Sequence, residues 1–176
     1  MLVLYPFNEN DAIAKQALKE KRPSLVRAYV ETLIHKGIHY LDVCFSQEPD
    51  EHFILEALKR APVNISLDSQ KRSSINRILK TFPISLINSA YPDTKSLDFY
   101  FACTREHNVS LVVLSVFQGE LHASLDERKR TVDGIVERAR KAKFPLQKLF
   151  IDVVILPYSF YPHYAHIPVE LAADIK

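Results

Sequence analysis

A chain of 176 residues, 47% hydrophobic and 25% charged, is long enough to bury one core without disulfide or metal staples. A net charge of +2, with no long run of Lys and Arg, gives no sign of a nucleic-acid partner, and three glycines rule out Gly-rich phosphate loops. No apolar stretch approaches the roughly 18 residues of a membrane span.

The opening MLVLYPFNENDA is too short an apolar run for a signal peptide and has no basic leader. With Cys44 and Cys103 the only cysteines, a reducing cytoplasmic setting with free thiols is expected. Short apolar runs then alternate with stretches of helical period. Met1–Leu4 reads as a strand. Pro23 and Ser24 introduce a helix with Leu25, Tyr29, Val30 and Leu33 on one face and Gly37 as its stop. His39–Val43 is the second strand, and residues 50–60 form a helix burying Phe53, Ile54, Ala57 and Leu58. Val63–Leu67 and Ile84–Ile87 are strands separated by a helix marked by Ile75, Ile78 and Leu79. Residues 93–107 are helical, Ser110–Val116 is a strand, and Ser124 opens a long helix carrying Leu125, Val132, Ile135 and Val136 inward. Its charged side reads as an outer surface. Lys148–Leu156 is the sixth strand, and Ile167–Ile175 begins another helix.

Strict alternation implies a parallel sheet, because parallel neighbours need crossover helices. An open doubly wound sheet and a (β/α) TIM-like barrel compete for this pattern. A full barrel takes about 250 residues, so the chain would supply about six of eight units in a single domain.

The strand ends favour the barrel. Each apolar run delivers a polar side chain at its C-terminal end: Asp42 in YLDV, Asp68 in SLDS, Asn88 in LINS, Ser115 in VVLSV and Asp152 in FIDVVILP. In a barrel these ends converge on one pocket. Asp, Asn and Ser also cap helices and form turns, and Asp68-Ser69 is cap-like. Asp152, with apolar neighbours on both sides, is expected to be buried and to need a partner or a ligand. Carboxylates and an amide without metal-like histidines suit a ligand rich in N–H donors. The pterin edge, with its 2-amino group and N3–H, is such a ligand.

The order LDV, SLDS, LINS and LFIDVVILP, with DERKRTVDGIVERARKAKFPLQKLFID before the last strand, resembles the pterin-binding methyltransferases. These are the methyltetrahydrofolate–corrinoid protein methyltransferases and the folate domain of cobalamin-dependent methionine synthase. The resemblance implies that Asp68, Asn88 and Asp152 hold the pterin ring, with Asp42, Cys44 and Ser115 in or near the pocket. It implies methyltetrahydrofolate as substrate and a cobalamin or other corrinoid on a partner protein as methyl acceptor or donor. Dihydropteroate synthase shares the pocket, but its Gly-rich loop after the second strand and D-P-G-x-G-F turn are replaced here by LDVCFSQEPD and IDVVILPYSF.

Departures from the family are equally visible. Its D-V-N-x-G reads Asp42-Val43-Cys44-Phe45-Ser46, its G-E-R-x-N reads Tyr5-Pro6-Phe7-Asn8-Glu9, and the proline of its I-D-P is Val153. The family's seventh strand with its G-L-S-N loop has no counterpart. The expected protein is therefore a C-terminally truncated member, completed by another chain or by a second copy, or a non-catalytic pterin-binding module. His163 and His166 among Tyr158, Tyr161 and Tyr164 read as a loop over the pocket, not a metal site. Cys44 reads as a small buried residue, not a nucleophile, and the basic run Gln70–Arg72 as a solvated turn that could meet a folate glutamate tail.

Overall fold

The computed structural model describes residues 4–69 and 71–175. Its six strands are parallel and follow the order β1-β2-β3-β4-β5-β6. A doubly wound sheet reverses its order at a switch point, whereas sequential order is the winding of a (β/α) barrel. The order is linear, so this TIM-like α/β sheet is not closed. The chain divides into two compact units with the boundary after Asn88, inside the fourth strand. The sequence alone suggests one domain.

The first unit contains β1 (Tyr5–Asn8), α1 (Ala12–Glu20), α2 (Pro23–His35), β2 (Tyr40–Cys44), α3 (Glu48–Leu58), β3 (Asn64–Leu67), α4 (Arg72–Thr81) and the start of β4 (Ile84–Ala90). The strand expected at 1–4 falls mostly on residues 1–3, outside the described residues, and the first described strand begins at Tyr5. Alternation then sorts the strands. Leu41 and Val43 of β2 and Ile65 and Leu67 of β3 are essentially fully buried, while Asp42 and Cys44 stand half-buried on the opposite face. The helices add Val26, Val30 and Leu33 from α2, Ile54, Leu55 and Leu58 from α3, and Ile75 and Ile78 from α4. Each such side chain contributes about 1.5–3 kcal/mol on leaving water. On α2 the buried stripe runs through Val26, with Leu25 and Tyr29 only at its margin.

Helix α1 carries no sequence signal of comparable strength. Its buried positions are Ala14 and Ala17, and its stop is Lys21 in the left-handed region, not a glycine. Asp11 caps it, taking the N–H groups of Ile13 and Ala14 at 2.8 and 3.2 Å. Gly37 ends α2 as expected: at φ 84° it lets its own N–H reach the Ile34 carbonyl while Ile38 N–H reaches that of Leu33.

The second unit contains α5 (Thr94–Glu106), β5 (Ser110–Leu114), α6 (Leu125–Lys141), β6 (Leu149–Asp152) and α7 (His166–Asp174). Ser124 caps α6 in a full capping box with Glu127. The buried stripe of α6 is Arg128, Val132, Ile135 and Ala139, with Leu125 and Val136 at its edges. Strand β6 is shorter than expected: residues 146–148 form a turn of 3₁₀ helix and the chain leaves the ladder after Asp152. No helix among the described residues is long and apolar enough to cross a membrane.

Candidate functional site: the polar strand ends

In the first unit the strand ends gather Asp42, Cys44, Ser66, Asp68 and Asn88. Asp42 lies opposite Ser66 in the β2–β3 register, so both leave the sheet on one face. The Ser66 hydroxyl, fully buried, donates to Asp42 Oδ1 at 2.6 Å. Asn88 reaches this face through an irregularity in β4. Ile84 pairs with Ile65, but Leu86, not Ser85, pairs with Ser66. The extra residue reverses the alternation, and Asn88, which plain pairing would turn to the helix side, faces Asp42 instead. Its Nδ2 donates to Asp42 Oδ2 at 2.9 Å. That bond fixes the amide orientation and leaves Asn88 Oδ1 as an acceptor.

Asp42 therefore holds one side-chain donor on each oxygen. Burial lifts its pKa above the usual carboxylate value, helped by the nearby Asp68 charge and opposed by the Ser66 and Asn88 bonds. Asp68 follows β3 directly and its N–H is held by the Val43 carbonyl at 3.0 Å. The Cys44 thiol donates to the Asp68 carboxylate, and its pKa is pushed up to about 12, first by burial and then by the Asp68 charge. A thiol so held stays protonated, which excludes Cys44 as a nucleophile near neutral pH. Glu9, at the exit of β1, adds to the same field at Cys44. Its Oε2 is buried without a hydrogen-bond partner among the described residues.

A cavity of about 300 Å³ opens beside Asp68 and Cys44, bordered also by Glu51 and Lys71. Burial raises the Glu51 pKa, and the Lys71 charge opposes the rise. Lys71 is thus set against a buried acid on the cavity wall. It also occupies the N-cap position of α4 without a side-chain cap bond, while the Ser69 hydroxyl accepts the Lys71 N–H at 3.4 Å. Of the basic run 70–72, Gln70 lies outside the described residues.

The second unit places its two expected residues differently. Asp152 is exposed, not buried as its apolar neighbours suggest. Alternation explains the correction: Phe150 shares its face and is 38% exposed, while Leu149 and Ile151 turn the other way. Sequence neighbours of a strand residue do not surround it in space. Asp152 Oδ1 accepts the Val154 N–H at 2.8 Å, and Val154 takes φ 52°, a conformation that β-branched residues rarely adopt. Ser115 follows Leu111 and Val113 in alternation, and all three are fully buried; its Oγ has no partner among the described residues. Leu114, not Ser115, pairs in register with Asp152.

Arg128 is the residue that sequence reasoning assigned to the wrong surface. It is 1% exposed, at the end of the first turn of a charged helix. Its guanidinium donates to the carbonyls of Val153 (2.5 Å), Val154 (3.0 Å), Leu121 (2.9 Å) and Ala123 (3.2 Å). One side chain thus ties the exit of β6 to the loop before α6. Burial lowers its pKa and the Asp152 charge counters this. The only sequence signal was its place at i−4 from Val132 on the apolar stripe. His122 from the same loop packs against Tyr161 and Tyr164, with ring centroids 5.0 and 5.1 Å apart. The Tyr-rich segment is therefore pinned beside that loop, although Tyr158 and Phe160 remain more than 70% exposed. No cluster of three metal-ligating side chains occurs among the described residues, and neither cysteine is in a disulfide.

No family model matches the chain, and no curated protein matches it.

Proposed function

We propose that the strand-end face of the first unit binds the donor edge of a pterin-type ring, as in a folate. The observation that carries the reading is Asn88. Its amide is locked by Asp42 at 2.9 Å, so a carbonyl oxygen is presented on the same face as the Asp68 carboxylate. A ring offering N3–H and a 2-amino group supplies the donors these acceptors lack, and Glu9 Oε2 offers a further acceptor nearby.

In this reading the reaction is methyl transfer between N5 of methyltetrahydrofolate and the cobalt of a corrinoid carried by a partner protein. The cofactor carries the hard chemistry; the residues of this chain orient the ring. The amine leaving group requires a proton or hydrogen bond at N5 as the bond breaks. Cys44, protonated and held by Asp68, is a donor of hydrogen bonds only. A non-catalytic pterin-binding module uses the same residues without the transfer.

Titration of the chain with methyltetrahydrofolate tests the proposal. Saturable binding is expected, weakened about tenfold in Asn88→Ala, which removes an acceptor for the ring's N–H donors. Absence of binding by the wild type contradicts it. Binding with no methyl transfer to a reduced corrinoid protein selects the module over the enzyme.

A further inference from the structure

The buried stripe of α3 opens on a charge. Ile54, Leu55 and Leu58 follow Glu51 at i+3, i+4 and i+7, so its position calls for an apolar side chain. Glu51 is nonetheless only 5% exposed, the one carboxylate buried so deeply among the described residues. An acid in a first turn suits the helix dipole, but Glu48 and Asp50 already serve there. No partner accounts for it either: its carboxylate takes no hydrogen bond and no ion pair among the described residues. A charge so placed is costly until something pairs with it.

Glu51 lines the cavity of about 300 Å³ beside Asp68. Lys71 lines it too, and its charge acts on Glu51, yet the two do not close into an ion pair. The other acids on the wall are committed. Glu48 is paired with Arg77, and Asp68 takes the Cys44 thiol. The ten-residue helix α4 starts here: Lys71 is its N-cap, no side chain caps it, and its first turn holds no acid. Ser74 of that turn and Ser69 before it border the same space. The α3 side of the cavity thus offers an unpaired carboxylate, and the α4 side an ammonium with the positive end of a helix. Opposite charges held apart across an open space match a ligand that carries both charges itself.

We propose that this cavity binds a zwitterionic α-amino acid, its ammonium on Glu51 and its carboxylate at Lys71 and the start of α4. The site does not rest on the pterin reading, although Asp68 borders both. L-Alanine is the probe, titrated into the full chain and followed by backbone amide NMR shifts. Ethylamine, which lacks the carboxylate, and propionate, which lacks the ammonium, are its one-ended counterparts. Saturable alanine binding is expected, with shifts centred on residues 48–51 and 71–74, and each counterpart weaker by about tenfold through loss of one charge-assisted contact. Glu51→Gln is expected to weaken alanine by about tenfold. Lys71→Met is expected to weaken it similarly while leaving ethylamine unchanged. No saturable binding, a counterpart that binds as tightly as alanine, or unchanged alanine affinity in either folded variant would overturn the proposal. If Glu51→Gln fails to fold, Lys71→Met and the two counterparts decide it.

Discussion

Asp42 accepts Ser66 on one oxygen and Asn88 on the other, which makes it the residue that positions the site. Its titration carries a signature. Because burial raises its pKa above 3.8, the folded protein keeps this proton to higher pH than the unfolded chain does. Between those two values the folded state binds more protons, so the stability that Asp42 contributes falls as pH rises and then levels off. Asp42→Asn has no such proton. The difference in urea midpoint, wild type minus Asp42→Asn, is expected to decline as pH rises above 3.8; a difference flat with pH would contradict the burial. Cys44 gives a second residue-level check. With its thiol pushed up to about 12, only about one molecule in ten thousand is thiolate at pH 8, so alkylation by iodoacetamide is expected to be far slower than for a free thiol. Asp68→Asn removes a charge and an acceptor and should speed it. Arg128→Ala leaves four carbonyls without their donor and is expected to cost about 3 kcal/mol or more, measured by urea unfolding. Arg128→Lys should recover only part, since a compact ammonium cannot span both loops.

At the scale of elements, the helix ends show how the chain manages with three glycines. Helices α1, α2, α5 and α6 each close with paired bonds from the two residues after the last turn, yet only α2 uses glycine. Lys21, Asn108 and Lys143 take the left-handed position instead, at φ 54°, 58° and 53°. Asparagine tolerates it through its short polar side chain, whereas lysine bears about 1 kcal/mol of steric cost. Lys143→Gly and Lys21→Gly are therefore expected to raise the melting temperature, by about 1 kcal/mol each at the midpoint. Unchanged or lower melting would show that the lysine side chains hold contacts of greater worth. The same substitution explains why α1 is hard to read: alanines on its buried face and lysine at its stop withhold both usual signals. The strands, by contrast, are legible because their apolar runs are short and sharply bounded. The irregularity in β4 is not. ISLINS reads as one run, and only the pairing shows that Ser85 is the extra residue that turns Asn88 toward Asp42.

At the scale of the whole molecule, the alternating pattern made the α/β parallel class readable, and the sequential strand order selects the barrel winding over the doubly wound sheet. The polar strand ends were readable as a set, but not their division of labour. Asp42 and Asn88 turned out to be bonded to each other, a relation between strands with no local trace in sequence. Asp152 was misjudged as buried because apolar neighbours along a chain are not neighbours across a face. Arg128 was misjudged as solvated because charge outweighed its position on the apolar stripe. The proposed pterin site rests on this face's demand for the ring's N–H donors, and one comparison isolates that demand. Affinities of 6-methylpterin and its analogue lacking the 2-amino group are measured for wild type and for Asp68→Asn. The wild type is expected to prefer the pterin by about tenfold or more, and Asp68→Asn to lose most of that preference. Equal affinity of the wild type for the two rings would contradict the assignment.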